Sequence, residues 1–204
     1  VTGDSLTSVT IKGGGAATID NTAADTIHTS AKGTTLTSVV LDGVDGNSTI
    51  KGEGLTDVTV KGASSASRIV TITNAKEDHS LTVHVDGTGY QTNGTEAQTT
   101  IVDANATSMT VEASGEKTSL SLSGSNALEN LTITGDAALK LKADVLAALK
   151  AINGSAANGA LTLGALNKAT VDVQTGSGND SFTIKATDKV TVDAGAGNDV
   201  VTLG

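Results

Sequence analysis

Leu6-Thr-Ser-Val-Thr-Ile-Lys-Gly13 returns as Leu36-Thr-Ser-Val-Val-Leu-Asp-Gly43 and again as Leu55-Thr-Asp-Val-Thr-Val-Lys-Gly62. Looser copies are Leu81-Thr-Val-His-Val-Asp-Gly87, Ser108-Met-Thr-Val-Glu-Ala113 and Leu128-Glu-Asn-Leu-Thr-Ile-Thr-Gly135. Lys168-Ala-Thr-Val-Asp-Val173 and Lys189-Val-Thr-Val-Asp193 finish the series. In each, apolar residues alternate with Thr or a charge, the period-2 signal of a half-buried strand. The Gly that follows closes the strand with a turn. A second short strand follows in most units: Ala17–Ile19, Ser48–Lys51, Arg68–Ile72, Thr99–Val102, Ser119–Leu122, Ala138–Leu141, Ala160–Leu163, Ser181–Ile184 and Val200–Leu203. Equivalent first strands recur every roughly 19 to 30 residues, the step of a solenoid coil with loops of variable length. About eight such coils, stacked at strand spacing, predict a rod roughly 40 Å long.

Composition fits a thin repetitive β-structure. The chain has no Cys, Pro or Trp and only one Phe, one Tyr and one Met. Its bulk hydrophobes are therefore Val, Ile, Leu and Ala, which fill a core one side-chain layer deep. The absence of Cys excludes disulfides and thiolate metal sites. The fold expected is all-β, a parallel β-solenoid (β-helix or β-roll). A β-sandwich, which also has short strands and frequent turns, is the competing architecture.

One segment departs from the strand pattern. Asp144 is placed to cap a short helix over Val145-Leu-Ala-Ala-Leu-Lys-Ala-Ile152, with Gly154 just past its end. Val145, Leu149 and Ile152 then share one face, so the helix is expected to pack on the solenoid.

Near the C-terminal end, Thr175-Gly-Ser-Gly-Asn-Asp-Ser-Phe-Thr183 and Ala194-Gly-Ala-Gly-Asn-Asp-Val-Val-Thr202 share the pattern x-G-x-G-N-D-x-U-x, U being apolar. The glycines allow tight turns that aim carbonyl oxygens inward. The Asp adds a carboxylate, and oxygen-only ligands on a flexible loop suit Ca²⁺. The plainer alternative is that Gly-Asn-Asp marks an ordinary β-turn.

Both stretches resemble the nonapeptide repeats of RTX (repeats-in-toxin) proteins, which leave bacteria by type I secretion. Both depart at the first glycine, replaced by Thr175 and Ala194, and the family advances by about 18 residues per stacked turn, so the observed step implies one bulged residue. The resemblance implies up to one complete calcium site between adjacent turns. Its ligands would be the carboxylates of Asp180 and Asp199, with carbonyls from Thr175, Gly176, Ser177 and Gly178 and from Ala194, Gly195, Ala196 and Gly197. Asn179 and Asn198 complete the two turns. The run Ala151–Ala165 is similar to the junction in S-layer and RTX surface proteins that leads into the calcium repeats, with Asn153-Gly154 where the family has Asp-Ala. The organisation expected is therefore solenoid repeats over 1–135, a short helix and connecting coil over 136–165, and RTX-like calcium coils over 166–204. Beginning at Val1 without Met or a visible leader, the chain reads as a piece of a longer protein.

Net charge is −9, and no basic patch interleaves with aromatics, so nucleic acid is not an expected partner. No apolar run is long enough to span a bilayer. His28, His79 and His84 are the only histidines, and none has zinc-ligand spacing. His84, out of phase with Val83 and Val85, is expected to face solvent. With no Gly-x-Ser-x-Gly elbow and no Cys nucleophile, catalysis is not expected.

These features lead to a structural protein of the bacterial cell surface: a secreted S-layer subunit segment that binds Ca²⁺ and self-associates into a lattice. The alternative is a secreted adhesin, possessing a contact loop between Asp86 and Thr100 that carries Tyr90, Gln91, Asn93 and Glu96, with a cell-surface polysaccharide among its candidate ligands. Lower still stands the β-helical part of a secreted polysaccharide-modifying enzyme. Ice binding ranks last, because Thr35-Leu-Thr37, Thr71-Ile-Thr73 and Thr132-Ile-Thr134 do not recur at a fixed period.

Overall fold

The computed structural model describes residues 1–2, 5–21, 34–90, 93–142, 146–166, 171–185 and 190–204. Alternating side chains produce alternating burial, and the chain winds between two sheets. The first sheet stacks β1 (Ser8–Lys12), β3 (Ser38–Asp42), β5 (Asp57–Lys61), β7 (His79–Asp86), β9 (Ala106–Ser114), β11 (Asn130–Gly135), β13 (Ala151–Ala157), β15 (Asp172–Gln174) and β17 (Val192–Asp193). The second stacks β2 (Thr18–Asp20), β4 (Ser48–Lys51), β6 (Arg68–Thr73), β8 (Thr99–Asp103), β10 (Thr118–Ser121), β12 (Leu139–Lys142), β14 (Leu161–Leu163), β16 (Ser181–Ile184) and β18 (Val200–Leu203). Odd strands pair with odd and even with even, and every strand ladder is parallel. That is the arrangement of a β-solenoid. It sets aside the sandwich, whose sheets pair antiparallel.

Register follows from the aliphatic columns. Val9, Val39, Val58 and Val83 lie in one rung line and Leu81, Met109, Leu131, Ile152 and Val173 continue the interior. A one-residue slip would turn every one of these outward. The buried side chains form a single cluster running from Val9 to Ile184, with Met109 and Phe182 the only bulky departures from aliphatics. Each such side chain contributes about 1.5–3 kcal/mol when fully removed from water. Gly13, Gly43, Gly62, Gly87, Gly115 and Gly135 end successive odd strands with φ between +61 and +103, where a Cβ is strained.

The largest of the fully buried side chains is an arginine. Arg68, 1% exposed, opens β6 and points inward. Its guanidinium donates to the carbonyls of Val44 and Gly62 and to the hydroxyls of Thr88 and Thr99. It thereby ties the β3–β4, β5–β6 and β7–β8 connections and the start of β8 together.

The expected helix over Val145–Ile152 is not present, and the described residues contain no helix at all. Ala147 and Ala148 form a turn, and Ala151 and Ile152 begin β13. Asp144 and Val145 lie outside the described residues. The amides of Lys150 and Ala151 both donate to Glu129 O, at 2.8 and 3.2 Å, which draws the segment into the ladder. Two turns of isolated helix cannot recover their nucleation cost, whereas a preformed strand edge offers those bonds at once. Leu149 and Ile152 are buried as expected, but from coil and strand.

Candidate functional site: stacked turns at the C-terminal end

Three turns lie in register here, where the sequence motif marks two. Residues 157–161 form the first, followed by 176–180 and 195–199, each displaced by 19 residues. Ser177 N donates to Ala157 O at 3.0 Å, and Ala196 N to Gly176 O at 2.9 Å. Ser177 Oγ reaches Asn158 Oδ1 at 3.3 Å, and Asn198 N donates to Asn179 Oδ1 at 2.9 Å. Thr175 is buried, and its hydroxyl donates to Ala194 O at 2.8 Å.

The glycines are required by this stacking. A Cβ on Gly176 would collide with Ala157 O, and one on Gly195 with Gly176 O. Gly178 and Gly197 face the turns beneath them in the same way, Gly197 with φ of +135. Thr175–Asp180 and Ala194–Asp199 are thus stacked in one column. The earlier turn carries Gly159 in line with Gly178 and Gly197, a spacing legible in the sequence once β13 is recognised as a strand.

The carboxylates occupy equivalent places with unequal surroundings. Asp180 Oδ1 accepts the amide of Leu161 at 2.8 Å, and Asp199 Oδ1 accepts the amide of Asp180 at 2.9 Å. Asp180 is 1% exposed, and its Oδ2 has neither solvent contact nor any hydrogen-bond partner. Asp199 is half-buried on the last turn. Leaving one oxygen of a buried carboxylate unpaired costs several kcal/mol unless a positive charge answers it. Among the described residues no group of three or more His, Cys, Asp and Glu side chains is arranged to hold a metal ion. A cation at this column would therefore draw most of its ligands from backbone carbonyls, a donor set that suits Ca²⁺.

The described histidines serve as fasteners between coils. His79 is buried, with Nε2 at 2.9 Å from Asp103 Oδ2 and Nδ1 at 2.7 Å from Lys76 O. His84 points outward, as the alternation predicts, between Asp57 at 2.9 Å and Glu112 at 3.0 Å. His28 and Gln91 lie outside the described residues. Across the molecule, the connection from β7 to β8 lies down on the second sheet. Its Glu96 accepts Ser119 Oγ at 2.8 Å and Lys140 Nζ at 2.6 Å, and Lys117 Nζ sits 4.5 Å from the centre of the Tyr90 ring.

No family model, curated protein or solved structure matches the chain. No described helix is long and apolar enough to cross a membrane.

Proposed function

We propose that this chain is a segment of a secreted, RTX-type surface-layer protein whose C-terminal coils bind calcium and thereby support folding and lattice assembly at the bacterial cell surface. The observation that carries this reading is the buried, unpartnered Oδ2 of Asp180, located inside the motif that resembles a calcium repeat. Asp180 and Asp199 would hold the ion together with carbonyls of Thr175–Gly178 and Ala194–Gly197. Bound Ca²⁺ would supply the positive charge that this column of turns lacks. The chain's own residues do the rest: the glycines bring adjacent turns close, and Asp180 locks onto the Leu161 amide.

The consequence is linkage. A ligand present at a hundred times its Kd adds about 2.7 kcal/mol to the folded state. Low cytosolic calcium would leave the terminal coils loose enough for type I export, and calcium outside would close them. Isothermal titration of calcium into this chain and into the Asp180→Ala/Asp199→Ala variant, with light scattering on the same samples, tests the reading. Saturable heat lost in the variant, with calcium-driven particle growth, is the expected result. No heat at millimolar calcium would reduce both motifs to ordinary turns.

A further inference from the structure

The chain contains three Asn-Gly pairs, Asn93-Gly94, Asn153-Gly154 and Asn158-Gly159. Such a pair carries a reaction of its own. The backbone amide that follows an asparagine can attack the side-chain carbonyl carbon, and glycine puts no Cβ in the way. The three pairs have the same atoms and very different surroundings.

Two of them are held between coils. Asn153 lies in β13, paired with Thr132 on one side and Gln174 on the other. Gly154 is buried, and a Cβ built there would press on the Leu161 side chain at 2.9 Å and on Gln174 O at 3.1 Å. Asn158 donates its backbone amide to Gly135 O at 2.7 Å, and Gly159 is buried against the Ala137 carbonyl. Neither backbone can turn its glycine nitrogen onto the side chain without opening the stack around it.

The third pair is open. Asn93 and Gly94 are exposed in the β7–β8 connection, between Tyr90 and Glu96, which form an antiparallel bridge. Gly94 has φ of +83, and nothing lies within 4 Å of a Cβ built on it. Its amide makes no hydrogen bond to any described residue. Asn93 Oδ1 accepts the Thr95 amide at 2.9 Å. That donor polarises the side-chain carbonyl and stabilises negative charge on its oxygen during attack. Asn153 Oδ1 has equal help, from Ser155 N at 3.1 Å and Ser155 Oγ at 2.7 Å. The difference between the pairs therefore rests on the freedom of the glycine.

We propose that Asn93 is a self-modification site, which closes a succinimide with Gly94 and is then opened by water to aspartate or isoaspartate. Gly94 N gives its proton to solvent base and bonds to Asn93 Cγ. The Cγ–Nδ2 bond breaks, and Nδ2 leaves as ammonia. Water then adds to either ring carbonyl and breaks that carbon's bond to nitrogen. The sequence of steps consumes only water. Its product carries one more negative charge than the parent chain of −9. The isoaspartate form also adds a methylene to the backbone of the connection that Glu96 fastens to Ser119 and Lys140.

The test incubates the intact chain in mildly alkaline buffer and follows each Asn-Gly pair by peptide mass spectrometry, the mark being an amide replaced by a hydroxyl. Hydroxylamine, which cleaves the chain at a succinimide, gives a second readout. In the folded chain Asn93 should convert at least about ten-fold faster than Asn153 or Asn158, because those two must first open locally. In urea the three rates should converge. Gly94→Ala should slow conversion at Asn93 about ten-fold, its methyl standing in the path of attack. Asn93→Gln should stop the growth of the first acidic fraction on ion exchange. Equal rates at the three pairs in the folded chain, faster conversion at Asn153 or Asn158, or no conversion at Asn93 while the unfolded chain converts would each overturn the proposal.

Discussion

Asp199 accepts the backbone amide of Asp180 at 2.9 Å, and so repeats, one coil on, the bond that Asp180 makes to Leu161 at 2.8 Å. The same bond is thus made twice, once in a sealed layer and once in an open one. Only the sealed copy strands an oxygen, Oδ2 of Asp180, away from both water and donors.

Asp180→Asn should separate charge from shape. The amide oxygen still accepts from Leu161, while the buried negative charge disappears. Without calcium, the variant should be more stable than the parent by about 1–3 kcal/mol, since an unpaired buried charge is removed. With calcium, the order should reverse, because the parent alone gains the linkage term. Chemical denaturation with and without chelator measures both.

Gly176→Ala should cost about 1–3 kcal/mol or more, because its methyl meets the Ala157 carbonyl, and backbone must move. Gly94→Ala, where nothing lies within 4 Å, should cost only the price of a positive φ, about 1 kcal/mol. A larger loss at Gly94 than at Gly176 in urea unfolding would contradict the stacked-turn account.

Arg68→Met should destabilise the chain by about 1–3 kcal/mol or more, the cost of a buried acceptor left unpaired. It leaves the Val44 and Gly62 carbonyls without their donor, while the Thr88 and Thr99 hydroxyls keep only the bond between them. Burial already pushes the guanidinium's pKa down, with Asp45 nearby pulling it back. A loss of unfolding free energy below about 1 kcal/mol would mean that water replaces the side chain there.

The clasp on the β7–β8 connection should open at both extremes of pH. The hydrogen bond from Lys140, then that from Ser119, holds the Glu96 carboxyl below the usual carboxylate range. The same bond raises the Lys140 ammonium. The Glu96 contribution is complete above the ordinary Glu range and is lost as pH falls through the lowered value. The Lys140 contribution is complete below the ordinary Lys range and is lost as pH rises through the raised one. Both groups are more than a third exposed, so the clasp contributes no more than about 1 kcal/mol. The chain has one Tyr and no Trp, so fluorescence of Tyr90 reports this connection alone. Its emission should change with acid in the parent and not in Glu96→Gln.

Much of the fold was legible because alternation and branching recur in nearly every coil. Ser48–Lys51, Ser181–Ile184 and Val200–Leu203 are strands with the ends expected of them. Ala151–Ala157 was not legible, because Ala147, Ala148 and Ala151 favour helix locally, and the Glu129 carbonyl just ahead of β11, with the ladders to β11 and β15, decides otherwise. That one error also hid the turn at residues 157–161, and with it the partner of the Asp180 carboxylate. The partners of His79 and His84 were equally out of reach, since Asp103, Asp57 and Glu112 come from other coils.

The coils keep their register while differing in length. Thr7 and Thr37 are bonded across one step of 30 residues, and Thr37 and Thr56 across one of 19. The ladder therefore keeps its pairing across steps of different length, and doubling a loop costs only about 0.6 kcal/mol in closure entropy. Such a chain tolerates insertion far better than substitution. A foreign peptide spliced beside Gly94, in open space, should be displayed on an intact rod, and a lineage built this way can gain new surface features without redesigning its core.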